Sequence, residues 1–174
     1  MPKTILVTGA GGFVGHHFLE HVLVTTDWDV IATDSFRHKG RTDRIAQVLA
    51  AGPEDFRKRT TVITHDLCAP FTAQQVREFQ TIGIDYIAAL ASESHVDRSI
   101  SDPVGFCRNN TEIAYTTLEL ARKLRPAALI WVSTDEVYGP VAADGSVPAG
   151  AGAKPKTEQS SCGPHPWSSS VEFT

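Results

Sequence analysis

The sequence predicts an α/β fold, a doubly wound parallel sheet with helices on both faces. Three observations predict it. Short β-branched or apolar runs alternate with amphipathic helical stretches over residues 3–132, the pattern of a parallel sheet with right-handed crossovers. The first run, Ile5, Leu6 and Val7, leads at once into Gly9, Gly12 and Gly15 and then into a helical stretch. An acid, Asp34, closes the second run 19 residues beyond Gly15.

The elements follow in order. Residues 5–7 have the composition of a buried parallel strand. A helix is expected over 13–25, with Val14, Phe18, Leu19, Val22 and Leu23 as its apolar stripe. His17 and His21 share a face four residues apart, but no third metal ligand lies near, so a solvated face is expected and no metal is assigned. The second strand spans 29–34 and a helix 41–51, stopped by Gly52 and Pro53. Residues 60–66 are a strand by β-branched content, 72–80 a short helix, and 85–91 a fourth strand. A polar loop, 92–99, comes next. Asp102 then caps a long helix with Pro103 at its first position, running to about residue 124. The fifth strand is 127–132, giving the order 3-2-1-4-5.

Residues 1–139 therefore read as one domain of Rossmann type, ending after about five strands. Residues 140–174 hold half of the ten prolines, with much Ser, Gly and Ala, and are expected to be an irregular or disordered tail. The 41% hydrophobic and 21% charged content suits a soluble globular protein. A net charge of −4 argues against a broad nucleic-acid surface. No run is long enough to span a bilayer. Cys68, Cys107 and Cys162 are widely spaced, and reduced thiols in the cytoplasm are the simplest account.

Ligands of an open parallel sheet lie over the carboxyl ends of its strands. Polar or glycine-bearing stretches fall at all of those ends: 9–15, 34–37, 66–67, 90–94 and 133–136. The glycine turn presents backbone N–H groups and the positive helix end to an anion. Gly9 permits the turn, Gly12 the approach of a pyrophosphate, and Gly15 close packing of helix on strand. Asp34 is placed to bind a ribose 2′-hydroxyl. Arg37, His38 and Lys39 suit a 2′-phosphate, but Asp34 repels one, so NAD is expected over NADP. Asp135 and Glu136, beside the expected nicotinamide end, form a carboxyl pair able to divide acid and base work.

The sequence resembles the extended short-chain dehydrogenase/reductases, the NAD-dependent epimerase/dehydratase group, and within them the nucleotide-sugar 4,6-dehydratases of the dTDP-glucose type. The likeness is carried by residues 8–15 (TGAGGFVG), 90–100 (LASESHVDRSI), 102–110 and 133–139 (STDEVYG). It implies a reaction on a nucleotide-linked hexose: hydride leaves C4 for NAD⁺, water is lost across C5 and C6, and hydride returns to C6. By resemblance Thr134 bonds the C4 oxygen, Asp135 protonates the departing 6-hydroxyl, and Glu136 takes the C5 proton. Phe13, Val14 and Ser35 join the glycines and Asp34 as cofactor contacts. Asp66 and Leu67 meet the adenine, Leu90, Ala91, Ser92 and Ser133 line the cofactor, and Ser94 touches the sugar. Asn110 matches a helix asparagine that orders the site.

The family also implies a Tyr-x-x-x-Lys pair 25 to 30 residues after the Thr-Asp-Glu motif. Tyr86, Tyr115 and Tyr138 are followed four residues on by Leu90, Glu119 and Ala142, so no such pair is present. The substrate half of the family is not seen either. The expectation is the NAD-binding portion of a 4,6-dehydratase-like enzyme, truncated and impaired as it stands. An epimerase or decarboxylase of the same superfamily and a non-catalytic NAD-binding module are the alternatives. The resemblance further implies a homodimer through helix 102–124.

Overall fold

The structure is a computed structural model and describes residues 2–134. Its core is a five-stranded, all-parallel sheet in the order β3-β2-β1-β4-β5. The strands are β1 (Thr4–Thr8), β2 (Asp29–Asp34), β3 (Thr60–Thr64), β4 (Tyr86–Ala89) and β5 (Ala128–Trp131). The helices are α1 (Phe13–Thr25), α2 (Thr42–Ala51), α3 (Glu54–Arg59), α4 (Ala73–Ile82), α5 (Val96–Ser101) and α6 (Pro103–Leu124).

Alternation along β1 divides the core. Ile5 and Val7 face one layer, with Leu19 and Leu23 of α1, Val48 of α2 and Phe56 of α3. Leu6 faces the other, with Phe79 of α4 and Ile113 and Leu120 of α6. Helices cover both faces, so every residue of the central strand is buried. Val7 pairs with Ala32 of β2 and Ala88 of β4, which aligns the carboxyl ends of the three central strands.

Local chemistry sets the helix ends. Thr72 and Gln75 form a reciprocal capping box on α4, and Gly83 ends that helix at φ 81°. Asp102 accepts from the Gly105 N–H at 3.0 Å, with Pro103 at the first position of α6. At 22 residues α6 is about 33 Å long and packs beside α4 and α5.

β3, β4 and β5 are shorter than the expected 60–66, 85–91 and 127–132, and the structure departs from the sequence reading more widely in three places. The polar loop 92–99 contains most of a helix, α5, whose only buried residue is Ser99, so no apolar period announced it. α3 was not expected. Its lone buried residue is Phe56, and charge supports it instead: Glu54 and Asp55 open it and Arg57, Lys58 and Arg59 close it, as the helix dipole favours. Val14, expected in the α1 stripe, is 58% exposed, because the first turn of α1 directs Gly15 onto the Gly9 backbone and so turns Val14 outward.

Among the described residues no helix is long and apolar enough to cross a membrane. Asp135, Glu136 and the tail at 140–174 lie outside the described residues, as does the boundary expected at 139.

Candidate functional site

A cleft of about 580 Å³ opens over the carboxyl ends of the strands. Its walls come from the segments after β1 (Gly9, Gly12), β2 (Asp34, Ser35), β3 (Asp66, Leu67) and β4 (Leu90, Ala91, Ser92, Ser94). The sequence expectation thus converges on one cavity from four different segments. Gly15 lies beneath it, while Phe13 and Val14 sit exposed on the first turn of α1. Ser133 and Thr134 follow β5 and are not among the described residues lining the cleft.

Glycine is required both in the turn after β1 and in the first turn of α1. Gly9 has φ 68°, and a Cβ there would stand 2.8 Å from the Ala91 backbone. At Gly15 a Cβ would fall 1.9 Å from the Gly9 carbonyl oxygen. Removing both side chains lets α1 begin directly under the turn. α1 has no side-chain cap and no acid in its first turn. Its leading N–H groups, those of Phe13 and Val14 included, lack intrahelical acceptors and offer themselves to an anion.

Asp34 braces this turn. Its Oδ2 accepts from the Gly11 N–H at 3.0 Å and its Oδ1 from the Phe36 N–H at 2.8 Å. The Gly11 carbonyl accepts in return from the Arg41 N–H at 2.9 Å and Arg44 Nη1 at 3.1 Å. A carboxylate has about four acceptor positions, so a ribose hydroxyl still finds lone pairs on Asp34. Phe36 takes a left-handed φ of 54° to bring its ring against Gly11.

At the β3 end, Asp66 is paired with Arg37 Nη1 at 2.9 Å and accepts from the Cys68 N–H at 3.0 Å. Arg37 is therefore engaged within the protein and is not a free cation for a phosphate. Burial, with the Asp66 charge second, pushes the Cys68 thiol up from its ordinary range and keeps it protonated. Leu67 is buried beside it.

At the β4 end, Thr8 Oγ1 accepts from the N–H groups of Leu90 at 3.1 Å and Ala91 at 3.2 Å. Asn110 holds the next residues: its Oδ1 accepts from the Glu93 N–H at 2.8 Å and its Nδ2 donates to the Glu93 carbonyl at 2.9 Å. Buried asparagine on α6 thus fixes the segment carrying Ser92 and Ser94 at the cleft wall.

The NAD dependent epimerase/dehydratase family model matches residues 5–165. The chain belongs to that family. Over 144 residues it is 32% identical to dTDP-glucose 4,6-dehydratase of Salmonella typhimurium, covering 78% of this chain and 38% of that protein. It also superposes on DesIV, a dTDP-glucose 4,6-dehydratase from Streptomyces venezuelae crystallised with NAD and TYD bound. That match has a TM-score of 0.68 and 32% identity, over 80% of this chain and 42% of the other. The UDP-glucose 4-epimerase of Bifidobacterium longum, in complex with NAD⁺ and UDP, shares the fold at a TM-score of 0.66 and 24% identity, over 79% and 38% of the two chains. The chain spans about two fifths of the length of these relatives.

The family is NAD-dependent, and the residues present fit that cofactor. The glycine cradle leaves room where a Cβ would collide, and the α1 N-terminus is bare of competing side chains. Several epimerase/dehydratase residues here escaped the sequence reading of the site. Thr8, Glu93, Arg98 and Asn109 all stood inside quoted motifs without a role. A threonine ending a fully buried strand was the one available signal for Thr8. The contacts of the others span distant segments that no local pattern relates.

Proposed function

We propose that this chain is the cofactor-binding portion of a nucleotide-sugar 4,6-dehydratase of the dTDP-glucose type. The observation that supports it most is the joining of the glycine turn, Asp34 and the Ser92–Ser94 segment in one cleft. Gly9, Gly12 and the first turn of α1 with Phe13 and Val14 hold the diphosphate. Asp34 and Ser35 hold the adenosine ribose, and Asp66 and Leu67 the adenine. Leu90, Ala91, Ser92 and Ser133 flank the nicotinamide end. When bound, NAD supplies the acceptor, and later the donor, of the hexose hydride.

In this reading Ser94 and Thr134 orient the hexose, Asp135 donates the proton to the leaving 6-hydroxyl, and Glu136 accepts the C5 proton. Two neighbouring carboxyls in unlike surroundings divide that labour. The sequence holds no Tyr-x-x-x-Lys pair, so C4 oxidation lacks its base and the chain alone is expected to bind NAD⁺ with impaired turnover. That same observation favours a second reading, a non-catalytic NAD-binding module. An epimerase or decarboxylase activity would leave the 6-hydroxyl in place or release CO₂.

A second copy of the chain is the expected partner, docked along α6, where Val104 and Tyr115 are exposed. The free thiols of Cys68 and Cys107 agree with a cytoplasmic setting. Calorimetric titration of NAD⁺, followed by mass analysis of dTDP-glucose incubated with the loaded protein, tests the assignment. Binding with a product lighter by one water supports the dehydratase, binding with no product the module, and no binding ends both.

A further inference from the structure

Gly40 lines the cleft with its backbone laid against the Asp34 carboxylate. A Cβ there would fall 2.3 Å from Asp34 Oδ1, 2.7 Å from Cγ and 2.8 Å from Oδ2. Gly40 has no positive φ, so space and not backbone conformation demands the glycine. The chain is anchored on both sides of it. The Lys39 carbonyl accepts from Arg44 Nη1 at 3.0 Å, and the Arg41 N–H donates to the Gly11 carbonyl at 2.9 Å. Asp34 closes the ring from the other side, since its Oδ2 accepts from the Gly11 N–H and its Oδ1 from the Phe36 N–H.

A methyl group at position 40 would therefore press on two held partners, and the softer one yields. Retreat of the backbone breaks bonds on both flanks, at Lys39 and at Arg41. The carboxylate is the free end of a short side chain and swings away by rotation to another staggered position. In doing so it leaves the Gly11 and Phe36 N–H groups, and its remaining lone pairs no longer aim where they did. We infer that Gly40 is a positioning residue for the ribose site. Its bare α-carbon lets the Asp34 carboxylate hold the one orientation that meets both N–H groups and still accepts from a ribose 2′-hydroxyl. Recognition of that hydroxyl is thus set by Asp34 and by the residue six positions on that leaves room for it. The inference rests on the dinucleotide reading of the cleft, in which Asp34 binds the adenosine ribose.

Wild type, Gly40→Ala, Asp34→Ala and the double variant are titrated calorimetrically with NAD⁺ and with its analogue lacking the adenosine 2′-hydroxyl. Gly40→Ala is expected to weaken NAD⁺ about ten-fold. The deoxy analogue should bind Gly40→Ala and wild type alike, a result that general loosening of the loop would not give. Adding Gly40→Ala to Asp34→Ala should cost NAD⁺ no further affinity, because the group it displaces is already gone. Wild-type NAD⁺ affinity in Gly40→Ala, an equal loss for the deoxy analogue, or additive losses in the double variant would each overturn the inference. Should Gly40→Ala fail to fold, the double variant decides. Its recovery of the fold supports a collision with the carboxylate, and its failure to fold overturns it. A wild-type protein that ignores NAD⁺ altogether is a separate result, which removes the cofactor reading and this positioning role with it.

Discussion

Asp34 and Gly11 are joined across 23 residues by a hydrogen bond of 3.0 Å from the glycine's N–H to the carboxylate. The acid expected to bind a ribose also braces the turn expected to hold the diphosphate. Ligand recognition and loop geometry are thereby coupled in one side chain. Asp34→Ala should leave the N–H groups of Gly11 and Phe36 without their acceptor, costing about 1–3 kcal/mol of stability. It should also weaken NAD⁺ more than NADP⁺, since the charge that repels a 2′-phosphate is gone. Urea denaturation and paired titrations of the two dinucleotides check both effects.

Gly15→Ala places a Cβ 1.9 Å from the Gly9 carbonyl oxygen, a backbone atom that has no side-chain freedom to retreat. The expected result is displacement of the α1 start, a fall in melting temperature, and loss of NAD⁺ binding. Gly83→Ala is the control. It has a positive φ but nothing within 4 Å of its Cβ, so it should lose only about 1 kcal/mol and bind NAD⁺ normally.

Asn110→Leu removes both bonds to the Glu93 backbone and leaves that N–H and carbonyl unpaired in a half-buried setting. A loss of about 2–4 kcal/mol in urea denaturation is expected. Amide exchange over residues 90–95 should rise at the same time, because the tether on that segment is gone.

Acid should act on the C-terminal end of α6. Hydrogen bonds from Arg122 and Lys123 lower the Glu119 carboxyl from 4.5 to about 2. A carboxyl depressed in the folded state contributes stability above its unfolded value and loses it as pH falls from about 4.5 toward 2. The three side chains are solvent-exposed, so water and salt screen them and the effect is small. Glu119→Gln should flatten the dependence of melting temperature on pH within that window and leave it unchanged near neutrality.

Much of the scaffold was legible in the chain because its signals are local. The run Ile5-Leu6-Val7, the glycines at spacing three and the acid at the end of β2 each report a backbone constraint that neighbours in sequence satisfy. The bounds of α1 and β2, the Asp102 cap and the strand order all follow from such signals. α3 and α5 were hidden because each buries a single side chain, so charge and tertiary position, rather than an apolar period, sustain them.

By itself, then, the sequence determined the parallel sheet, the helix placement and the turn built to receive an anion, since spacing along the chain encodes backbone geometry. Only the tertiary structure decided who braces that turn and what each charge is doing. Arg37 is committed to Asp66, Thr8 holds the amides after β4, and Glu93 pairs with Arg98. Those pairings join residues up to 83 positions apart. They arise because parallel strands bring their carboxyl ends to one edge, a proximity that exists only once the sheet has formed.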